Sequence, residues 1–264
     1  MPSVSNIAVG AAMAGAAASK ARHAMNESIT RLSTGIRSMY GGDAAGQSLA
    51  NSLGSKGASF AVAARNAEDG ISFLQSAESV LLEMAALTTR LRELGVQYAN
   101  NGLLTLTDEA ALNAEAIAIG DALLSVASNT TFNGVVMVGN ATAIEVGIND
   151  AGDTATIGTA TSIANANMGD ITGANGVDGS ADTALGSIAT SLGNVAAGMV
   201  SLKGYQAVAS NSAANLKAAA ARIQDTDFAL ETANLTKASV LNQSAMAMVA
   251  QANQAQNAIL AVIQ

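Results

Sequence analysis

Few residues of this chain have types and spacings that could do chemistry. His23 is the sole histidine among 264 residues and there is no cysteine, so neither a thiolate site nor a multi-histidine zinc site can be assembled. A helix surface is the expected place for His23. Asp225 and Asp227 form a carboxylate pair of the kind used in acid–base work, but they stand directly before a helical pattern and read as caps. Glu68-Asp69 and Asp108-Glu109 read as solvated helix charges, the second pair suiting the positive end of a helix dipole. Asn149-Asp150-Ala151-Gly152-Asp153 has a faint calcium-loop look, yet the remaining ligand positions are absent and a hairpin turn fits better. No phosphate-binding loop, HExxH pair or nucleophile elbow occurs. The expectation is a non-enzymatic chain with no catalytic residue, no cofactor and no metal.

The elements that carry these residues are helical. Hydrophobic residues make up 50% of the chain but aromatics only 3%, with no Trp, so the apolar content is Ala with Leu, Ile, Val and Met. That composition favours close helix approach along long surfaces over a deep core anchored by rings. The one proline is Pro2, so no helix is interrupted by that mechanism. Helices are expected over about 7–36, 43–100, 108–129 and 182–222, with a last one after Asp225-Thr226-Asp227. Residues 185–223 keep one unbroken heptad register: Leu185, Ile188, Leu192, Val195, Met199, Leu202, Gln206, Ala209, Ala213, Leu216, Ala220 and Ile223. A near-heptad stripe also runs through Leu74, Ala77, Leu81, Met84, Leu87, Leu91, Leu94 and Tyr98. The last helix shows Leu241, Ala245, Met248, Ala252, Ala255, Ile259 and Val262. Between 143 and 158 the period falls to two, around Ile144, Val146, Ile148, Ala155 and Ile157, which predicts a β-hairpin. Residues 158–181 read as loop. The fold class expected is mainly α, long antiparallel helical hairpins or coiled coil with one small β-hairpin, the N- and C-termini paired. Met13, Met25, Met84, Met199, Met246 and Met248 sit at helical spacing and read as core gap-fillers.

Charge narrows the partners. A net −8 argues against non-specific nucleic-acid binding. Residues 140–187 hold Glu145, Asp150, Asp153, Asp170, Asp178 and Asp182 with no Lys or Arg, the pattern of a water-facing surface. No secretory signal is expected in the run Ala8–Ala18, whose basic residues follow it. No stretch is expected to reach the roughly 18 apolar residues of a spanning helix, so membrane insertion is not expected. An apolar stripe that continues to Ile263 asks for a partner, and a second copy of the chain is the natural one.

Several segments resemble bacterial flagellins. Arg31-Leu32-Ser33-Thr34-Gly35-Ile36-Arg37 is similar to the family's RLSSGLR, and the run Asp43 to Asn51 to its DAAGxAIAN. Arg65 to Ser72 resembles RNANDGIS, Arg90 to Gln97 resembles RVRELAVQ, and Thr131 to Val135 resembles QFNGV. Arg222 to Phe228 is similar to RIEDADY, and Ala250 to Gln254 matches the end of LAQANQ. The segments come in family order from both ends. Gly41 and Gly42 replace the family's usual lysine and first aspartate before DAAG.

The resemblance implies a subunit of the flagellar filament. It implies an inner terminal coiled-coil domain of residues 1–42 plus 226–264 and a rod-like helical domain of 43–225, with no additional outer domain. It implies self-association into a helical homopolymer, and export unfolded through the flagellar apparatus to an extracellular, secreted location. An export chaperone, hook-associated proteins and cap proteins are the implied partners. The residues expected along the polymerisation or core seam are Leu32, Ile36, Leu185, Ile188, Leu192, Val195, Met199, Leu202, Leu216, Ile223, Leu241, Met248 and Ile259. Arg90, Glu93, Leu94 and Gln97, with Glu115 on the next helix, match the segment that a Toll-like innate receptor reads in the family; packing between protofilaments is their primary expected role. Two rivals stand beside this reading: a hook–filament junction protein of flagellin-like type and a non-flagellar coiled-coil signalling module.

Overall fold

The computed structural model describes residues 2–37, 42–138, 144–157 and 176–263, with side chains described from residue 9 to residue 258. Its helices are α1 (Pro2–Thr34), α2 (Ala44–Tyr98), α3 (Leu106–Asn129), α4 (Val177–Gln224) and α5 (Phe228–Ile263). Four short strands, β1 (Thr131–Phe132), β2 (Val135–Val136), β3 (Ile144–Gly147) and β4 (Thr154–Ile157), lie between α3 and α4. The mainly α fold with paired terminal helices agrees with the sequence. The chain divides into two compact units, Met1–Gly54 with Lys217–Gln264, and Ser55–Leu216.

In the central unit α2 buries a strict heptad stripe: Ala63, Ala67, Gly70, Leu74, Ala77, Leu81, Met84, Thr88, Leu91 and Gly95. α4 answers with Val177, Ala181, Ala184, Ile188, Ser191, Val195, Leu202 and Ala209. Close approaches fix the pairing as antiparallel. A methyl group at Gly70 would meet Leu202, one at Gly198 would meet Leu74, and one at Gly95 would meet Val177 and the backbone of Asp178. Going up α2 therefore means going down α4. Each glycine is the hole for a branched side chain of the other helix, the coiled-coil knob-in-hole arrangement with small holes. Arg92 pairs with Asp182 at 2.5 Å and the Gln206 amide donates to Glu68 at 2.6 Å along the same register. The acidic stretch is thus partly compensated from another helix, while Glu145, Asp150, Asp153 and Asp178 face water as expected.

Polar residues in the stripe are satisfied locally. Thr88, 0% exposed, donates its hydroxyl to the Met84 carbonyl at 2.7 Å, and Ser191 does the same toward Ser187. α3 closes the unit with Ala116, Gly120, Leu123 and Ala127 inward. Its start is a capping box: the Asp108 amide donates to the Thr105 hydroxyl oxygen, and the Thr105 amide donates to the Asp108 carboxylate. The Thr105 hydroxyl also donates to the Asp108 carboxylate at 2.7 Å, and this hydrogen bond first, the Thr105 amide second, holds the Asp108 carboxyl below its usual range. Thr105→Ala is expected to cost about 1 kcal/mol. The loss should show as faster amide exchange confined to the first turn of α3.

Three differences from the sequence reading have physical causes. α4 begins at Val177, not 182, because its first turns present Val177 and Ala181 to Gly95, and small residues hide the period; residues 158–175 of the expected loop lie outside the described residues. A second hairpin joins the expected one. Asn133 and Gly134, with φ of 50° and 79°, make the two-residue turn between β1 and β2, and Phe132 packs edge-on against Phe73 at 5.8 Å. The expected hairpin is present as β3 and β4, Ile144 opposite Ile157, with Val146 and Ile157 buried. Its turn is built by Asn149, whose side-chain oxygen accepts from the Ala151 and Asp153 amides. Finally, α3 and α4 each contain an 18-residue window long and apolar enough to cross a membrane by length and composition, contrary to the expectation that no stretch reaches that limit.

Candidate functional site

With no constellation for catalysis in the sequence, the surface of interest is the terminal unit, where α1 and α5 lie antiparallel. α1 turns Ala18, Ala21 and Ser28 fully inward; α5 turns Glu231, Ala238 and Ala245. Alanine at these positions lets the two backbones come close. The α5 seam is displaced from the one expected. It follows Leu235, Ala238, Asn242, Ala245, Val249 and Ala252, while Leu241 and Met248 are 53% and 59% exposed. The closest approach is made at Ala238 and Ala245, and Leu241 and Met248 stand on the flank beside it.

The flanks are consequently apolar. Val9, Met13, Ile29, Leu230, Val240, Leu241, Met246 and Met248 are all exposed on α1 or α5. A coil that is to remain in water places charges beside its seam. On one side Ala17, Ala24, Leu241 and Met248 line a groove of about 610 Å³, with Lys20, Glu27 and Lys237 also on its walls. Arg31 and the buried Glu231 pair across it at 3.7 Å, and Glu231 Oε1 and Asn242 Oδ1 have no hydrogen-bond partner among the described residues.

A clasp closes the end of this coil. Ile36 and Asp225 form an antiparallel bridge, the Thr226 amide donates to Gly35, and the Arg37 amide donates to Gln224. The Arg37 guanidinium donates to the Ile223 carbonyl at 3.1 Å and to the Asp43 carboxylate at 3.0 Å. Asp43 in turn accepts from the Gly46 amide at 2.8 Å, capping α2. Asp227 accepts from the Ala229 and Leu230 amides and caps α5, as its position before the helix implied; Asp225 serves the bridge instead. The Gly46 amide first, and Arg37 second, hold the Asp43 carboxyl below its usual range. A depressed folded-state value means the contribution is fully present above about pH 4 and is lost as pH falls below it. Lowering the pH from 7 to 5 should leave Gly46 amide exchange, corrected for intrinsic rate, unchanged. Protection should fall only below about pH 4, and Asp43→Ala should remove it at every pH.

The remaining expected residues are placed as follows. Ile188, Val195 and Leu202 are buried in the central unit, with Leu185, Leu192, Met199 and Leu216 half-buried beside them. Leu32, Ile36 and Ile223 are half-buried in the terminal unit, and the side chain of Ile259 lies outside the described residues. Arg90, Glu93 and Glu115 meet: the guanidinium donates to Glu115 at 2.7 and 2.9 Å and to Glu93 at 3.2 Å, all three exposed. Gln97 is exposed nearby in sequence, but Leu94 is 0% exposed and belongs to the core. His23 is exposed on α1. Among the described residues no three His, Cys, Asp or Glu side chains are placed to hold a metal ion.

Long helices, a terminal coil with apolar flanks and a small two-hairpin insertion define a self-associating structural protein. The family model for the bacterial flagellin N-terminal helical region matches residues 5–143, and that for the C-terminal helical region matches 176–263. The flagellar filament 33 kDa core protein of Treponema phagedenis is 32% identical over 90% of this chain and 92% of its own length. The flagellin of Bacillus subtilis is 31% identical over 91% and 93%. A crystal structure of Bacillus cereus flagellin is 23% identical over 58% of this chain and 88% of that one, at a TM-score of 0.40, too low to bear on the fold. The chain belongs to the bacterial flagellin family, and its role is that of a structural subunit of the extracellular flagellar filament.

Proposed function

We propose that residues 1–42 with 226–264 are the polymerising coiled-coil domain and that residues 43–225 are a rod-like helical domain. One observation carries this. The coil hides alanines in its seam and leaves Met13, Leu230, Leu241 and Met248 exposed along its flanks. Apolar flanks of that extent are stable only when covered, and a neighbouring copy covers them repeatedly along a polymer. Contacts of one patch with a different patch on the next copy do not close, and generate a helix of subunits. The chain travels unfolded through the flagellar export apparatus, a chaperone shielding its ends, and meets hook-associated and cap proteins at the filament's extremities. The absence of cysteine suits an unfolded passage and an extracellular life without disulfides.

The Arg90, Glu93 and Glu115 cluster, with Gln97, serves contacts between protofilaments. Its exposure in the free subunit favours a second use, as the surface read by a Toll-like innate receptor. Purified protein seeded with filament fragments and followed by electron microscopy tests the main reading. Long uniform fibres are expected. Short rings would turn the assignment to a junction protein, and discrete small oligomers to a signalling coil.

A further inference from the structure

Methionine divides this molecule in two. Met84, 0% exposed in the central core, has the gap-filling role expected of it, and Met137, at 6%, is buried there too. Met13, Met246 and Met248 contradict that role: they are 70%, 49% and 59% exposed, and every one lies on α1 or α5. Their thioethers stand where small oxidants reach first. Met248 lines the groove beside Ala17, Ala24 and Leu241, opposite walls that carry Lys20, Glu27 and Lys237, so an oxygen added there makes its apolar strip polar. Met246 already accepts from the Arg22 guanidinium at 3.6 Å. A sulfoxide oxygen is a far better acceptor than a thioether and would hold that arginine.

Resting on the assembly reading above, we propose that Met13, Met246 and Met248 are an oxidation site whose product holds the subunit out of the polymer. The oxidant is hydrogen peroxide. A sulfur lone pair attacks one peroxide oxygen, the O–O bond breaks, and a proton moves to the departing oxygen, which leaves as water. Sulfur gains one oxygen and is oxidised by two electrons; the peroxide is reduced by two. A flexible apolar side chain becomes polar and chiral. Covering it with a neighbouring copy then takes an S=O group out of water where a thioether packed before, and that desolvation is a cost. Chains already in a filament have these flanks covered and are spared, so the block acts on free subunits.

Monomer treated with dilute hydrogen peroxide is compared with untreated monomer in seeded growth, with sulfoxides located by peptide mass spectrometry. Met13, Met246 and Met248 should convert at least about tenfold faster than Met84 and Met137. The subunit concentration needed for growth should rise at least about tenfold, equivalent to about 1.4 kcal/mol per added subunit. Methionine sulfoxide reductases of both epimer types, supplied with a thiol reductant, should restore growth. The variant M13L/M246L/M248L, checked for helicity by circular dichroism, should grow equally before and after peroxide. Equal conversion of buried and exposed methionines, unchanged growth after oxidation, or failure of reductase rescue overturns this inference alone. Untreated protein that never extends seeds overturns the assembly reading as well.

Discussion

A chain trimmed to residues 43–225 is expected to remain helical and soluble and to add to no filament, at any concentration at which the full chain grows. The two halves of that outcome have separate causes. Every residue of the large hydrophobic cluster lies between Ala67 and Leu202, so trimming leaves it whole. The terminal coil is built differently. Its fully buried apolar positions are Ala18, Ala21, Ala238 and Ala245, each contributing about one methyl group, on the order of 0.8 kcal/mol apiece. Holding 33 and 36 residues of helix in one conformation costs more than such a seam returns by itself. The apolar flanks close the gap, and only neighbouring copies can cover them. Amide exchange on free full-length protein should therefore show weak protection in α1 and α5 and strong protection around Leu81, with the first becoming strong on polymerisation. Fibres grown from the trimmed chain, or equally strong protection at both places in the monomer, would refute the account.

Much of the fold was legible because heptads are a property of spacing and survive without tertiary knowledge. The stripe from Leu185 to Ile223 is at least half-buried at every position named. What was hidden depended on residue size. Thr88 and Gly95 occupy the α2 stripe between its leucines, and their places are intelligible only with Val177 and the Met84 carbonyl in view. On α5 the larger Leu241 and Met248 drew the seam toward themselves, whereas the packing selected Ala238, Asn242 and Ala245. Hydrophobicity marks which side chains want cover; it does not say whether the partner is this chain or another. The small hairpin at Thr131–Val136 had a readable signal, Asn133-Gly134 between Phe132 and Val135, but strands of two residues are too short for alternation to register. The part of the clasp that joins Arg37 to the other end of the chain had none, since its acceptors there are main-chain carbonyls 186 and 187 residues away.

Leu81 and Leu82 should behave as opposites despite being neighbours of one type. Leu81 is 0% exposed and sits at a stripe position of α2; Leu82 is 56% exposed. Leu81→Ala removes buried methylenes and leaves a cavity that an antiparallel pair of long helices cannot collapse, because the close contacts of Gly70 with Leu202 and Gly198 with Leu74 on one side, and of Gly95 with Val177 on the other, already fix the spacing. The cost should be about 2–5 kcal/mol. For a unit of this size that lowers the unfolding midpoint by roughly 2–4 °C per kcal/mol, on the order of 10 °C in all. Leu82→Ala should move it by less than about 2 °C, since alanine is also the better helix former. The contrast extends to assembly. Leu82 lies on the outer side of the central unit, so its loss should weaken filament growth without changing monomer stability, whereas Leu81→Ala should weaken both. Calorimetry of each variant beside seeded growth separates the cases. Equal shifts in midpoint for the two leucines would mean that the α2 stripe is not the seam described.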